Sequence, residues 1–406
     1  MQEFLVSPEE SGQRFDKYLH RRLPLAPSSF LYKMLRKKNI TLRGKKADGS
    51  EKVEAGDRVV LFLSDETIGK FSAKRDDQAL SKETEEIRKA YRTLQPLVGD
   101  SPVLYEDDNI LIVRKPAGIL SQKAAAQDIS MNEWLRGYLL ERQGDRGRQE
   151  QQEQEREIFR PSVCNRLDRN TGGILLCACS LQGSRALSAV IRGRALRKTY
   201  RMVVHGRVEE PGMIDTDLIK DHSSNQVRTA AKPADTAEKQ KQGLRDKESL
   251  RSAVTVYRPV HAGRKCTMVE ADLITGRSHQ LRVHMASIGH PIVFDPRYGD
   301  RKLDLSLTQT IPVKQTVPAK QTVPSKQAAS AKQTGYAKQT GYAKQAVLKG
   351  GRGKGSPQRA GGQLLWCTQI AFPRADESDL MQDVLRPLAG RVFRCPAPKW
   401  WNTLCE

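Results

Sequence analysis

Two segments of this 406-residue sequence place charged side chains at spacings that could support catalysis. In the first, Arg166 and Arg169 flank Asp168, and the segment leads into an apolar run over 174–179 that is typical of a strand. Taken alone, this pattern favours an aspartate that bonds backbone amides or Thr171 to shape a turn. A catalytic role for the carboxylate is the alternative that stays open.

The second segment covers 275–285 and follows a predicted strand. It predicts a helix that Ser278 caps and Gly289 ends. Arg277 and Arg282 fall at or near the start of this helix, where basic groups and free amides can meet phosphate. Arginines on a solvated face are the alternative, which the apolar neighbours of Arg282 disfavour.

Metal and disulfide chemistry are not favoured by the other reactive side chains. His279, His284 and His290 are spaced by five and six residues, so they do not share one helix face. The seven cysteines are scattered and form no Cys-x-x-Cys pair. We therefore expect no metal, no disulfide scaffold and a reducing, cytoplasmic environment.

The composition points to a polyanionic partner. Lys and Arg total 69 against 47 Asp and Glu, and the net charge of +22 predicts RNA or DNA. At 38% hydrophobic residues the chain can bury a core, and it has no run of about 18 apolar residues that would predict a membrane span. The start, Met1 to Phe4, has neither the basic residues nor the apolar run of a secretory signal.

Half of that charge lies in 301–362, which holds 12 basic residues and one acid, Asp304. Lys-Gln recurs there every six residues, from 314 to 344, in a low-complexity sequence. We interpret the segment as a solvated insertion, which a surface loop tolerates at little cost. The alternative is a basic tether that binds RNA by displacing counterions, with Tyr336 and Tyr342 stacking on bases.

The N-terminal residues 1–64 have the pattern of a small binding module. One predicted helix contains Phe15 and Leu19, and a second is capped by Ser28 or Ser29. Short strands complete the unit. The second helix and its end carry a basic cluster that we expect to bind RNA, namely Lys33, Arg36, Lys37 and Lys38.

Six short motifs of the sequence, taken together and in order, are characteristic of one family. With them the chain resembles the RluA family of RNA pseudouridine synthases, and 11–63 resembles the RNA-binding module (alpha-L motif) of a ribosomal small-subunit protein. The resemblance covers roughly 10–63 and 101–300 and resumes at Leu364. The motifs are Leu104-Tyr105-Glu106-Asp107-Asp108, Lys115-Pro116-Ala117-Gly118, Asn165-Arg166-Leu167-Asp168, Arg197-Lys198-Thr199-Tyr200, residues 275–284 and residues 289–299.

The resemblance implies an α+β fold, with a catalytic domain on a mixed, mostly antiparallel sheet and a small N-terminal α/β RNA-binding module. We expect 65–100 to be a linker with an exposed helix near 83–93, and 144–157 and 232–248 to be exposed polar stretches. The predicted division is 1–64 module, 65–100 linker, 101–300 catalytic domain, 301–362 low-complexity basic insertion and 363–406 end of the catalytic domain.

The resemblance also implies roles for particular residues. Asp168 would be the nucleophile that attacks the target uridine, at C6 of the base or at C1′ of the ribose. Arg282 would pair with this acid, Tyr200 would stack on the base and help to remove the C5 proton, and Arg166 and Arg277 would contact RNA. An isomerisation of this kind implies no metal and no organic cofactor.

The sequence departs from the family pattern at three places. Asn165 stands where many members have His, Gly172 stands where Ser is common, and 364–368 replaces the usual Leu-His-Ala-type word. We expect Asn165 and Gly172 to tune the loop, and local packing around 364–368 is put in doubt. The 301–362 insertion is not a family feature.

These observations predict a monomeric pseudouridine synthase, not bound to a membrane, that acts on structured RNA, with large-subunit rRNA favoured over tRNA. A non-catalytic RNA-binding or ribosome-assembly protein on the same fold is one alternative. Another is an aspartate-nucleophile hydrolase or phosphotransferase, which would call for Mg²⁺-binding carboxylates near Asp168. The segment around Asp168 offers arginines instead.

Overall fold

A computed structural model describes residues 1–7, 10–72, 77–144, 159–221, 226–230, 250–308 and 362–406. The repeat over 314–344 lies outside the described residues, as do all but the first residue of the predicted stretch 144–157 and the whole of 232–248. No helix in the described ranges is both long and apolar enough to cross a bilayer.

The N-terminal module packs two helices on a four-stranded antiparallel sheet of order β1-β4-β2-β3. Both predicted helices are confirmed, and most of their apolar residues, including Phe15 and Leu19, are buried. The predicted cap is wrong, because Ser28 is the first helical residue and Pro27 precedes it without a side-chain cap. The elements are β1 (Gln2–Leu5), α1 (Phe15–Arg22), α2 (Ser28–Arg36), β2 (Ile40–Leu42), β3 (Lys45–Lys46) and β4 (Arg58–Leu61).

The segment expected to be a linker is largely helical and partly buried. It forms α3 (Asp65–Phe71) and α4 (Asp77–Val98), and α4 packs on α5 (Met131–Gly144). Leu94 and Val98 of α4 are in the main hydrophobic core. The helix expected near 83–93 is therefore longer than predicted, since α4 covers Asp77–Val98. It is also not fully exposed, because Leu94 and Val98 are buried against the catalytic domain.

Among the described residues, eleven strands form the main sheet, in the order β11-β10-β12-β13-β9-β14-β8-β6-β5, with β7 on β8 and β15 on β14. Every pairing is antiparallel except β14 with β8, so the predicted mixed, mostly antiparallel sheet is confirmed. The strands are β5 (Val103–Glu106), β6 (Ile110–Lys115), β7 (Ser162–Val163), β8 (Gly172–Ala178), β9 (Arg197–His205), β10 (Gly212–Asp221), β11 (Gln226–Ala230), β12 (Leu250–Ala262), β13 (Cys266–Leu273), β14 (Leu365–Ala371) and β15 (Val392–Arg394).

The C-terminal part of the chain completes the centre of this sheet, because β14 lies between β9 and β8. Residues 301–308, which the predicted division assigns to the insertion, form a helix that packs on neighbouring elements. Leu307 is buried there, and Asp304 bonds His205 at 2.7 Å. The last helices are α6 (Leu181–Arg192), α7 (Gln280–Ser287) and α8 (Arg301–Thr308), with 3₁₀ turns at Asp383–Leu388 and Lys399–Leu404.

The helix predicted to follow 275 is present as α7, but the predicted cap is wrong. His279 occupies the N-cap position with φ of +56°, and Ser278 makes no capping bond. Gly289 follows the helix with φ of +82°, as expected for a helix end. Arg282 is thus the third residue of α7, close to the loop that carries Asp168.

Candidate active site

The loop between β7 and β8 holds Asp168 in an ordered position. Leu167 is buried, its amide donates to Ser121 Oγ (3.0 Å), and its carbonyl accepts from the same hydroxyl (2.8 Å). Asn165 bonds two backbone groups of β8 through its amide side chain. Asn165 therefore ties the loop to β8.

A buried lysine holds the second half of this loop. The Lys115 ammonium donates to the carbonyls of Pro116 (3.0 Å), Arg169 (3.2 Å) and Thr171 (2.7 Å). Burial lowers the pKa of Lys115 to about 7, while the nearby charge of Asp168 acts in the opposite direction. Lys115 thereby fixes the backbone that follows Asp168.

The low pKa of Lys115 predicts how stability depends on pH. Between pH 7 and about 10.5, Lys115 is protonated in the unfolded chain but largely neutral in the folded protein. The unfolded state therefore binds more protons, and the wild type should gain stability as pH rises. Relative to a Lys115→Met variant, the gain should approach about 1.4 kcal/mol per pH unit. Urea unfolding of both proteins from pH 7 to 9.5 measures this difference, and parallel curves would contradict it.

Arg282 bridges two aspartates. Its Nη1 donates to Asp168 Oδ2 (2.9 Å), and its Nε and Nη2 make a two-point pair with Asp295 (2.7 and 2.8 Å). The Asp168 side chain is 30% exposed, whereas that of Arg282 is 7% exposed and that of Asp295 is 0% exposed. Asp168 is therefore the group of the three that a substrate can reach, and its carboxylate bonds Arg282 rather than Thr171.

The Arg282–Asp295 pair keeps both groups ionised. Burial acts to lower the pKa of Arg282, but the hydrogen bonds and charge of Asp295, joined by those of Asp168, outweigh it and raise that pKa. Burial likewise acts to raise the pKa of Asp295, and the Arg282 hydrogen bonds reverse it, so that this pKa is lowered. A permanent positive charge therefore faces Asp168.

Tyr200 lies on β9 with 6% of its surface exposed. Burial, followed by the neighbouring Cys367 thiol and the charge of Asp168, raises the pKa of Tyr200 well above 10. Its hydroxyl is consequently protonated at neutral pH. The charge of Asp168 contributes to the raised pKa of both Tyr200 and Arg282. The three side chains therefore lie in one region of the structure.

Two departures from the family pattern meet in the structure. Gly172, at the start of β8, packs against Trp366 of β14, and a Cβ at position 172 would lie 2.1 Å from the Trp366 ring. Only glycine fits beneath this indole. The loss of the usual Ser and the gain of a tryptophan are thus complementary.

This contact makes the effect of Gly172→Ser depend on Trp366. We expect the single change to lower the free energy of unfolding by about 1–3 kcal/mol, because it overfills a packed site. Trp366→His in the same chain should recover most of that loss. Urea unfolding of the two single variants and the double variant gives the coupling, and additive effects would contradict it.

The predicted RNA-binding residues occupy two places. Arg166 is exposed beside Asp168, and Arg277 lies in the turn before α7, where its Nε donates to the Ser252 carbonyl (3.1 Å). The basic cluster of α2 is exposed on the N-terminal module, outside the Asp168 site; it comprises Lys33, Arg36, Lys37 and Lys38.

Three residues of the site were not predicted from the sequence: Lys115, Asp295 and Tyr298. The Tyr298 ring lies 5.0 Å from the Arg282 guanidinium carbon, and its hydroxyl bonds His279 Nδ1 at 2.8 Å. All three lie within the six sequence motifs of the family, and this position was the only indication of their importance in the sequence. In the described ranges no three His, Cys, Asp or Glu side chains could together hold a metal ion.

The region that contains the site is similar in sequence to known proteins. The profile of a family described as "RNA pseudouridylate synthase" matches residues 109–287, which contain Asp168, Tyr200 and Arg282. The ribosomal large subunit pseudouridine synthase C of Escherichia coli K12 is 29% identical over 310 residues, 75% of this chain and 82% of that protein. Residues 109–287 of this chain therefore match the RNA pseudouridylate synthase family.

Further proteins are similar to this chain. The large-subunit enzyme C of Vibrio cholerae is 28% identical over 307 residues, 75% of this chain and 82% of that protein. A solved human protein titled RNA Pseudouridylate Synthase Domain Containing 4 aligns with a TM-score of 0.45 and 16% identity, covering 80% of this chain and 96% of that chain. The resemblance inferred from the sequence motifs is confirmed, and the synthase is an isomerase.

Proposed function

We propose that this synthase converts specific uridines of large-subunit rRNA to pseudouridine, with Asp168 as its nucleophile. The observation that carries the proposal is the contact of a reachable Asp168 carboxylate with Arg282, which Asp295 holds from behind. The names of the relatives, which specify the ribosomal large subunit, favour rRNA over tRNA.

The reaction needs an ionised carboxylate and a base that is free to turn. Asp168 would attack base C6 or ribose C1′ while the bond from N1 to C1′ breaks, and Arg282 would hold the carboxylate in place through its charge-assisted hydrogen bond. The uracil would then rejoin C1′ through C5 and lose the C5 proton, and N1 would gain a proton. The bond between Asp168 and the nucleotide would break in the same sequence, which regenerates the free carboxylate. Because Tyr200 is a buried neutral phenol, we assign it to stacking on the base rather than to action as a phenolate.

The target uridine must leave its stack to reach Asp168. Arg166, which is exposed beside Asp168 and makes no ion pair in the described part of the chain, would contact the RNA next to the extruded nucleotide. The exposed basic cluster of α2 would hold RNA at a distance through phosphate contacts. Residues 1–64 would thus serve as a separate RNA-binding module.

Tritium release distinguishes this function from its alternatives. Unmodified large-subunit rRNA and bulk tRNA, each labelled at uridine C5, are incubated with the full-length protein. We expect release from rRNA and little from tRNA. Release from tRNA alone would move the substrate to tRNA, and tight rRNA binding without any release would favour a non-catalytic RNA-binding protein.

A further inference from the structure

The turn between β13 and α7 is a rigid element beside the proposed active site. Buried Gln280 accepts from the Thr275 hydroxyl (2.8 Å) and from the Arg277 amide (3.0 Å). Its side-chain amide donates to the Val254 carbonyl of β12 (2.9 Å). Gly276, at the centre of the turn, is therefore held in one place relative to the neighbouring strands.

Lys198 of β9 faces this turn. It precedes Tyr200 by two residues, so both side chains lie on the same face of the strand. Its Nζ is 3.7 Å from the point that a Cβ on Gly276 would occupy. Burial lowers the pKa of Lys198, and among the described residues its ammonium makes no hydrogen bond or ion pair. A cation that is largely removed from water without an acceptor is costly.

Arg277 adds a second charge on the same turn. Its Nε is used by the Ser252 carbonyl, but its two terminal nitrogens meet no acceptor or carboxylate in the ranges the structure describes. Burial, followed by the positive charges of Arg194 and Arg251, lowers the pKa of Arg277. Both of those arginines are exposed. Four basic residues from four segments thus converge, and none of them is neutralised by an ion pair within the described chain.

We propose that Lys198 and Arg277 hold one backbone phosphate of the RNA, next to the nucleotide that enters the site, with Arg194 and Arg251 at the rim. The inference rests on the proposed function for its ligand. Two strand residues span on the order of 7 Å, so a phosphate at Lys198 would belong to a nucleotide adjacent to the base stacked on Tyr200. An anion there would supply the acceptors that the free protein lacks.

The site is tested by the salt dependence of RNA binding. The probe is an unmodified transcript of large-subunit rRNA from the same organism, and the variants are Lys198→Met, Arg277→Gln and the double change. We expect each single change to weaken binding about tenfold and to reduce the slope of log Kd against log salt by about 0.7, which corresponds to one phosphate. The double variant should lose no further slope, because both residues hold the same phosphate.

Thermal unfolding separates this role from a structural one. Lys198→Met removes an unsatisfied buried charge, so its Tm should equal or exceed that of wild type even though RNA binding is weaker. Lys302→Met, an exposed lysine on α8, is the matched control and should keep the wild-type slope. A lowered Tm together with weakened binding would mean that Lys198 has a structural role. If the double variant reduces the slope of log Kd against log salt by the amount expected for two phosphates, the two residues do not share one phosphate.

The outcome is also separable from that of the proposed function. If wild type releases tritium from the transcript while Lys198→Met binds with wild-type affinity and slope, the phosphate site alone is wrong. If wild type binds the transcript but releases none, the proposed function fails. The binding data on the variants then still decide whether the phosphate site exists.

Discussion

Replacing Asp168 with Asn should reduce pseudouridine formation by roughly 10⁴-fold or more, as expected when a nucleophile is lost. The amide keeps the shape of the side chain but cannot attack the uridine. Affinity for RNA should change by no more than about twofold, because the proposed phosphate contacts lie elsewhere. Nucleoside analysis of the reacted transcript, paired with a binding titration, measures both quantities.

Asp108→Asn is the matched control for this change, since Asp108 is exposed in the turn between β5 and β6. It should retain wild-type turnover. Turnover of Asp168→Asn within tenfold of wild type would exclude Asp168 as the nucleophile. A parallel loss of RNA binding would instead mean that the loop between β7 and β8 has lost its structure.

The second large effect is expected at Asp295, which carries no proposed chemistry. Asp295→Asn should lower the free energy of unfolding by about 3–5 kcal/mol, because it removes the buried carboxylate that pairs with Arg282 at two points and leaves only the partly exposed Asp168 as its partner. It should also reduce kcat, since Arg282 would no longer be fixed against Asp168. Urea unfolding and single-turnover kinetics measure the two losses.

A double variant separates the contribution of Asp295 to stability from its contribution to the site. Adding Arg282→Met to Asp295→Asn removes the uncompensated charge, so most of the lost stability should return. Turnover should not return, because Asp168 would face no cation. A double variant as unstable as Asp295→Asn would contradict the ion-pair explanation. Wild-type turnover in the double variant would remove Arg282 from the mechanism.

The parts of the fold that depend on local pattern were predictable. The helices α1 and α2 follow from the spacing of their apolar residues. The burial of α4 was not predictable, because its apolar face is covered by α5, which follows it only after the hairpin of β5 and β6. The helix over 301–308 was hidden by the low-complexity sequence that it precedes.

The site shows a similar division. Residue patterns alone favoured a turn-shaping role for Asp168, and its partner Arg282 lies 114 positions away, so only the resemblance to a family could bring them together. Asp295 and Lys115 gave no signal by type or spacing. Their importance depends on complete burial, which tertiary packing creates and local sequence does not encode.

The complementarity of Gly172 and Trp366 was also outside the reach of pattern analysis. Each residue looked like an isolated departure from the family, one in the catalytic loop and one far along the chain. They meet because β14 returns beside β8 as the only parallel neighbour among the described strands of the main sheet. A contact between distant segments explains both changes at once.

The most direct test of the central claim is a map of pseudouridines in large-subunit rRNA from cells that lack this protein. Chemical adduct formation followed by primer extension locates each site. We predict that one or a few sites are lost, that a wild-type gene restores them, and that a gene with Asp168→Asn does not. An unchanged map, or full restoration by the Asp168→Asn gene, would contradict the account.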